Sequence, residues 1–223
     1  MAEQYIVNSA DLTAVADSIR AKTGGTEQLT FPTGFTNAIG SIPSIKETYD
    51  SDGNLTSAVI TGYTTLRNSM FYQCSLLSSA SLPEGLTSIG NSVFSGCTNL
   101  ALTSLPEGIT SIGIAAFQDC NELALTSLPE GLTKIDEYAF YNCYSLALTS
   151  LPEGVATIGM NAFHNCTGLT TITFKGTPTS IYPDAFSNCT NLITINVPWA
   201  EDAVANAPWG ATNATINYNY PGE

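Results

Sequence analysis

Positive charge is what this sequence has least of. Six Lys and Arg stand against 19 Asp and Glu, for a net charge of −13, and His164 is the single histidine. An acidic surface repels phosphate, which argues against nucleic acid or anionic membrane as a partner. No apolar run approaches the roughly 20 residues a membrane-spanning helix needs, so membrane insertion is not expected. The N-terminus, MAEQYIVNSADL, has neither a basic region nor an apolar one after it. It therefore reads as lacking a secretory signal, with folding in the cytoplasm. Cysteines in close C-x-x-C pairs are absent too, and with them the spacing of a zinc site or a redox pair. Nothing around His164 resembles a Ser/His/Asp or Cys/His arrangement. The chain reads as non-enzymatic, with no catalytic, cofactor or metal residue.

What the chain does have is repetition. Cys74, Cys97, Cys120, Cys143, Cys166 and Cys189 follow one another at intervals of 23 residues. Phe71, Phe94, Phe117, Phe140, Phe163 and Phe186 each stand three residues before one of them. An aliphatic residue precedes each Phe by five (Leu66, Ile89, Ile112, Ile135, Ile158, Ile181), and a Leu follows each Cys by three. Four ladders in one register specify a solenoid, in which each repeat buries its apolar face against its neighbours. Equal spacing also argues against a disulfide framework. The six thiols read as a reduced, inward-pointing structural ladder, since free Cys behaves as a small buried hydrophobe.

Taken in order, residues 9–23 read as a short helix with Ser9 as N-cap, Leu12, Val15 and Ile19 on one face, and Gly24-Gly25 at its end. A second helical turn carries Phe35 and Ile39. The segment 46–63 reads as a β-hairpin turning at Asp52-Gly53. Its Asp50, Asp52 and Asn54 invite a calcium reading, but Thr48 and Val59 stand where that loop wants acids, so the hairpin is preferred. Val59 lies 23 residues before Leu82, which offers this strand as a first rung. Within a repeat, Leu100 to Leu105 reads as the main strand and Pro106-Glu107-Gly108 as a turn in which Gly108 can take positive φ. Ala116, Phe117 and Cys120 give the face of a single helical turn. Leu102 and Leu105 are out of phase with an alternating strand, which implies a bulge or a rotated strand. Beyond the last Cys, Ile193–Pro198 matches Ile216–Pro221, and Trp209 falls where Phe would be. Residues 198–223 thus read as a degenerate seventh repeat capping the core with Trp209, Tyr218 and Tyr220.

The pattern of Leu169 to Phe174 followed by Thr179 to Cys189 resembles the BspA-type leucine-rich repeats. The resemblance covers roughly residues 59–197. It implies a solenoid of short parallel strands and short helical turns, without enzymatic chemistry, in a family common among surface, adhesive and host-contact proteins. Leu102-Thr103-Ser104-Leu105 and its copies depart from the family's strand pattern by one residue. The two ends resemble something narrower. Ser9 to Arg20 with Phe31 to Phe35, and Val197 to Tyr220, are similar to pieces of tail-associated proteins of phages of gut bacteria. That resemblance implies a virion tail or fibre component contacting a host receptor or another virion protein. The alternative is a bacterial cell-surface adhesin. Residues 1–45 would be an attachment segment using Leu12, Val15, Ile19, Phe35 and Ile39, with a trimer as the favoured assembly. The solenoid would occupy 46–197.

Two surface features are candidates for contact with a protein or surface glycan. Glu84, Glu107, Glu130 and Glu153 recur in the Pro-Glu-Gly turns and line up at the spacing of adjacent strands, about 4.8 Å. They read either as a stripe for a cation or basic partner or as solvated turns that tolerate mild repulsion. Tyr138, Tyr141 and Tyr144 read as an exposed aromatic cluster suited to stacking, or as ordinary surface tyrosines. His164 occupies a place filled elsewhere by Tyr72, Ser95, Gln118, Tyr141 and Ser187, and that variability marks it as surface.

Overall fold

The computed structural model describes residues 43–221. The helices expected at 9–23 and near Phe35, and with them Leu12, Val15, Ile19, Phe35 and Ile39, lie outside the described residues.

The chain enters as the expected hairpin. Strand β1 (Ser44–Tyr49) pairs antiparallel with β2 (Leu55–Thr61). The turn between them is made by Asp50, whose Oδ1 accepts hydrogen bonds from the amides of Asp52 and Asn54, while Gly53 takes φ 82°. Those bonds, from Asn54 first, hold the Asp50 carboxyl below its usual range. β2 then pairs in parallel with β4 (Ser79–Ser81), so it does serve as a first rung, but in another register than Val59 against Leu82. Ala58 lies opposite Ala80. Ala58 and Ile60 are buried and Val59 is 44% exposed.

Each repeat then contributes one short strand to a six-stranded parallel sheet. β3 (Thr65–Leu66), β5 (Ser88–Ile89), β6 (Ser111–Ile112), β7 (Lys134–Ile135), β9 (Thr157–Ile158) and β11 (Ser180–Ile181) follow one another in order. Every pair keeps the repeat register, as in Ile89 opposite Ile112, and all six aliphatic residues are buried.

After each of these strands the expected helical turn is replaced by a ribbon of tight turns; among the described residues no helix forms. Ala115 (φ 53°) and Asp119 (φ 60°) are left-handed, a conformation that interrupts any helix. Consequently the amides alternate in purpose. Those of Ala116, Gln118 and Cys120 close turns onto carbonyls three residues back, while those of Ala115, Phe117 and Asp119 donate to Glu137, Ala139 and Tyr141 of the next rung. The spacing that imitates a helix face therefore belongs to a structure that binds rung to rung.

That ribbon aims the phenylalanines inward. Adjacent rings of the six stack with centroids 5.0–5.6 Å apart and planes within 12°. Val93, Ala116, Ala139, Ala162 and Ala185, each preceding a Phe, are fully buried beside them. The cysteines lie alongside, all six free. Each from Cys97 to Cys189 donates its thiol to the carbonyl of the Phe in the preceding rung, at 3.0–3.1 Å. Burial pushes Cys97 and Cys189 up to about 12 and Cys120, Cys143 and Cys166 well above the ordinary thiol value. Cys74, in the first rung, is only partly buried.

The opposite face is less regular. β8 (Ser150–Leu151), β10 (Thr171–Phe174), β12 (Thr194–Asn196) and β13 (Thr215–Asn217) form a four-stranded sheet, and β1, β2 and β4 a three-stranded one. Between the two sheets the expected main strand at Leu100–Leu105, and its copy at 124–128, make no ladder. Leu125 and Leu128, three residues apart, are both buried, with Thr126 and Ser127 exposed between them. A pleated strand alternates every residue, so it cannot turn both leucines inward. Nor does Gly108 take positive φ; a Cβ there would come 3.0 Å from the Leu86 carbonyl, so close packing is its role.

At the C-terminal end Trp209 replaces Phe, fully buried, and its carbonyl accepts the Phe186 amide. Trp199 and Trp209 close around Phe174, with centroids 5.2 and 5.9 Å away. Ile216, Tyr218 and Tyr220 are partly buried over the last rung. The register differs from the expected match: Ile195, not Ile193, lies opposite Ile216.

Candidate interaction surfaces

Repetition brings like residues together on adjacent rungs, and the surface is organised accordingly. Glu84, Glu107, Glu130 and Glu153 are all exposed along one edge. Where a fifth would stand the chain has Gly176, packed so closely on the Glu153 backbone that a Cβ would collide with it. The neighbouring Lys175 reaches back across two repeats and donates its Nζ to Glu130. Glu107 accepts the Glu130 amide at 3.4 Å. Glu84 has no side-chain partner among the described residues.

The tyrosines gather only in part. Tyr138 and Tyr141 meet tilted at 5.8 Å, and the Tyr138 hydroxyl points to Met160 Sδ at 3.9 Å. Tyr144 is exposed and makes no ring contact with them. Instead Tyr141 stacks on His164, at 4.8 Å and 8°. His164 is thus half-buried rather than free on the surface. Its Nε2 lies 3.2 Å from Asn188 Nδ2, and its Nδ1 is buried without a partner.

A row missed in the sequence runs beside this patch. Asn142 donates to Asp119 at 2.7 Å, and Asn165 donates to Asn142 at 2.8 Å. These residues, with Asn188, occupy the left-handed position just before each Cys. Asn and Asp tolerate that conformation better than other side chains. The signal was legible, since Asp119, Asn142, Asn165 and Asn188 sit one residue before successive cysteines. A second row, Thr173, Asn196 and Asn217, is linked across β10, β12 and β13. Among the described residues no three His, Cys, Asp or Glu side chains converge as metal ligands would, and no helix is long and apolar enough to cross a membrane.

A period of this length, an aliphatic–Phe–Cys core and parallel one-strand rungs coincide with six copies of the BspA type leucine-rich repeat, matched over residues 64–193. The chain belongs to the BspA-type leucine-rich repeat family. No curated protein matches it in sequence. Among solved structures, a leucine-rich repeat protein from Bacteroides ovatus is similar to this BspA-type chain with a TM-score of 0.56 at 22% identity, over 68% of this chain and 45% of that one. The chain thus spans less than half the length of that protein, and identity at this level speaks for the fold alone. A T. pallidum leucine-rich repeat protein aligns over 85% of this chain and 81% of its own at 21% identity and a TM-score of 0.41. A leucine-rich cell surface protein from Faecalibacterium prausnitzii aligns over 78% and 71% at 18% identity and a TM-score of 0.40.

Proposed function

We propose that this chain is a non-enzymatic interaction protein whose solenoid displays rows of side chains to a protein or surface glycan. The observation that carries the reading is the sorting of its side chains. Repetition sets carboxylate beside carboxylate on the outside, while the nucleophilic thiols are inside and donate to carbonyls. Catalysis needs unlike titratable groups converging in a cleft; a ladder of like groups makes a broad, multivalent surface.

The finer reading is a virion tail or fibre accessory protein, supported by the resemblance of 9–20, 31–35 and 197–220 to tail-associated proteins. In it, residues 1–45 attach the protein, as a trimer, through Leu12, Val15, Ile19, Phe35 and Ile39. The solenoid at 46–197 presents the surface and 198–223 cap it. Glu84, Glu107, Glu130 and Glu153, together with Tyr138, Tyr141 and Tyr144, are the partner-facing residues. Family membership supports a second reading, a bacterial cell-surface adhesin. Mass spectrometry of purified virions, set beside protease shaving of intact bacteria that make the protein, separates the two. Peptides of this chain in virions are expected; their release from living cells alone, with none in virions, gives the adhesin. Light scattering is expected to show a trimer that becomes a folded monomer when 1–45 are deleted. A full-length monomer that associates with neither virion nor cell contradicts both readings.

A further inference from the structure

The groove between the first two rungs combines an open sheet edge, unpaired amides and two carboxylates. Strand β4 is the edge of its sheet, paired with β2 and with nothing beyond. The next run is pinned at both ends, by the Ala101 amide on the Ser78 carbonyl and the Thr110 amide on the Thr87 carbonyl. Between those pins the amides of Leu102, Thr103, Ser104 and Leu105 find no backbone partner among the described residues. A groove of about 420 Å³ opens there, with Ala80, Leu82, Leu102 and Leu105 in its lining and Glu84 and Glu107 beside them. Leu82 and Leu102 are only partly buried. Two partly exposed leucines, unpaired backbone donors and two carboxylates on adjacent rungs make a composite site rather than a charged patch.

The chain itself indicates what the acidic edge takes. Its C-terminal half is already served by a cation, the Lys175 ammonium on Glu130, whereas the same edge at Glu84 and Glu107 has no cation from this chain among the described residues. We propose that this groove binds an arginine-bearing segment of a partner protein. The guanidinium bridges Glu84 and Glu107, as its forked donors suit two carboxylates. The aliphatic stem lies on Leu82 and Leu102, and the segment's carbonyls accept from the open amides of 102–105. The proposal rests on the reading of the chain as an interaction protein and names the chemistry of one partner.

The test uses the full chain and two synthetic probes: the acetylated, amidated pentapeptide Ser-Arg-Thr-Arg-Ser and its copy with citrulline in place of arginine, which keeps the shape and removes the charge. Binding is followed by amide chemical shifts in low salt. The arginine peptide is expected to move the amides of Leu102–Leu105, and the citrulline peptide to bind about tenfold more weakly or less. Glu84→Gln with Glu107→Gln is expected to weaken the arginine peptide about tenfold. Glu130→Gln with Glu153→Gln removes as many charges and is expected to change affinity by less than about twofold. Equal losses in the two double variants would mean that only the general acidic field attracts the peptide, and would overturn the site. So would shifts confined to other residues, or no difference between the two probes. If the groove fails in this way while virion or cell association persists, the interaction reading stands without it; if association is absent too, both fall.

Discussion

On one side of the solenoid β3, β5, β6, β7, β9 and β11 pair without a break, while on the other the runs 101–105 and 124–128 leave a gap between two sheets. Both sides come from the same repeats. The difference lies in how many apolar residues each run must bury. A two-residue strand such as Ser111–Ile112 turns one side chain in and one out, so ladder and burial ask for the same backbone. The Leu-x-x-Leu run asks for two buried leucines three apart, and burial and pairing then compete. Burying a leucine is worth about 1.5–3 kcal/mol, a backbone hydrogen bond exposed to water about 0.5–1.5 net. Burial wins. Where the sequence alternates, as in Thr171–Phe174, the ladder returns.

The largest expected effect breaks the regular side. Phe117→Ala or Phe140→Ala removes a buried ring from the middle of the stack and is expected to cost about 3–5 kcal/mol in urea denaturation. Changing the exposed Thr103 of the irregular side to Ala is expected to stay within about 0.5 kcal/mol. A loss at Phe117 no larger than at Thr103 would mean that the stack does not hold the solenoid together.

Next comes the turn ribbon. Asn142→Ala removes two rung-to-rung hydrogen bonds and forces alanine to hold φ 58°; the expected cost is about 2–3 kcal/mol. Asn142→Gly keeps the backbone at ease and should recover about half. Equal losses would place the whole effect in the side-chain bonds.

The thiols give a pH test of the same side. An unfolded thiol titrates near 8.5, and the buried ones titrate higher. Above about 8.5 the unfolded chain has lost a proton that the folded chain keeps, so stability is complete below that pH and declines as pH rises towards the folded values. Each thiol contributes a loss of about 1.4 kcal/mol per pH unit. Between about pH 8 and about pH 9.5, under reducing conditions, the wild type should lose roughly that much more stability than Cys143→Ala.

The comparison also separates what could be read in advance from what could not. The aliphatic, Phe and Cys ladders were legible because each position makes the same demand in every rung. The helical turn was misread because neighbouring apolar positions at Ala116, Phe117 and Cys120 fit a helix face and interleaved turns equally well; the left-handed Asp119 and Asn142 decide between them. The end registers were misread because pairing follows burial: Ala58 opposite Ala80, Ile195 opposite Ile216. Of the candidate surfaces, the Glu row could be read from its period. The Lys175–Glu130 bridge spans 45 residues, and the His164–Tyr141 stack joins unlike residues of adjacent rungs, so no single-position ladder announced either.

The smallest expected effect would sharpen the comparison. Leu125→Thr with Thr126→Ile rewrites 125–128 in the alternating pattern of 171–174. It is expected to extend the pairing at that rung while changing stability by less than about 1 kcal/mol. A circular dichroism spectrum with more strand, at nearly constant urea midpoint, is the expected outcome.

Hydrogen exchange on the free protein tests the contrast between the two faces most directly. The amides of Phe117, Asp119 and Thr133 donate to neighbouring rungs and should exchange only with global unfolding. Those of Leu102–Leu105 and Thr126–Leu128 should exchange near the rate of an open chain. Equal protection on both faces would contradict the account.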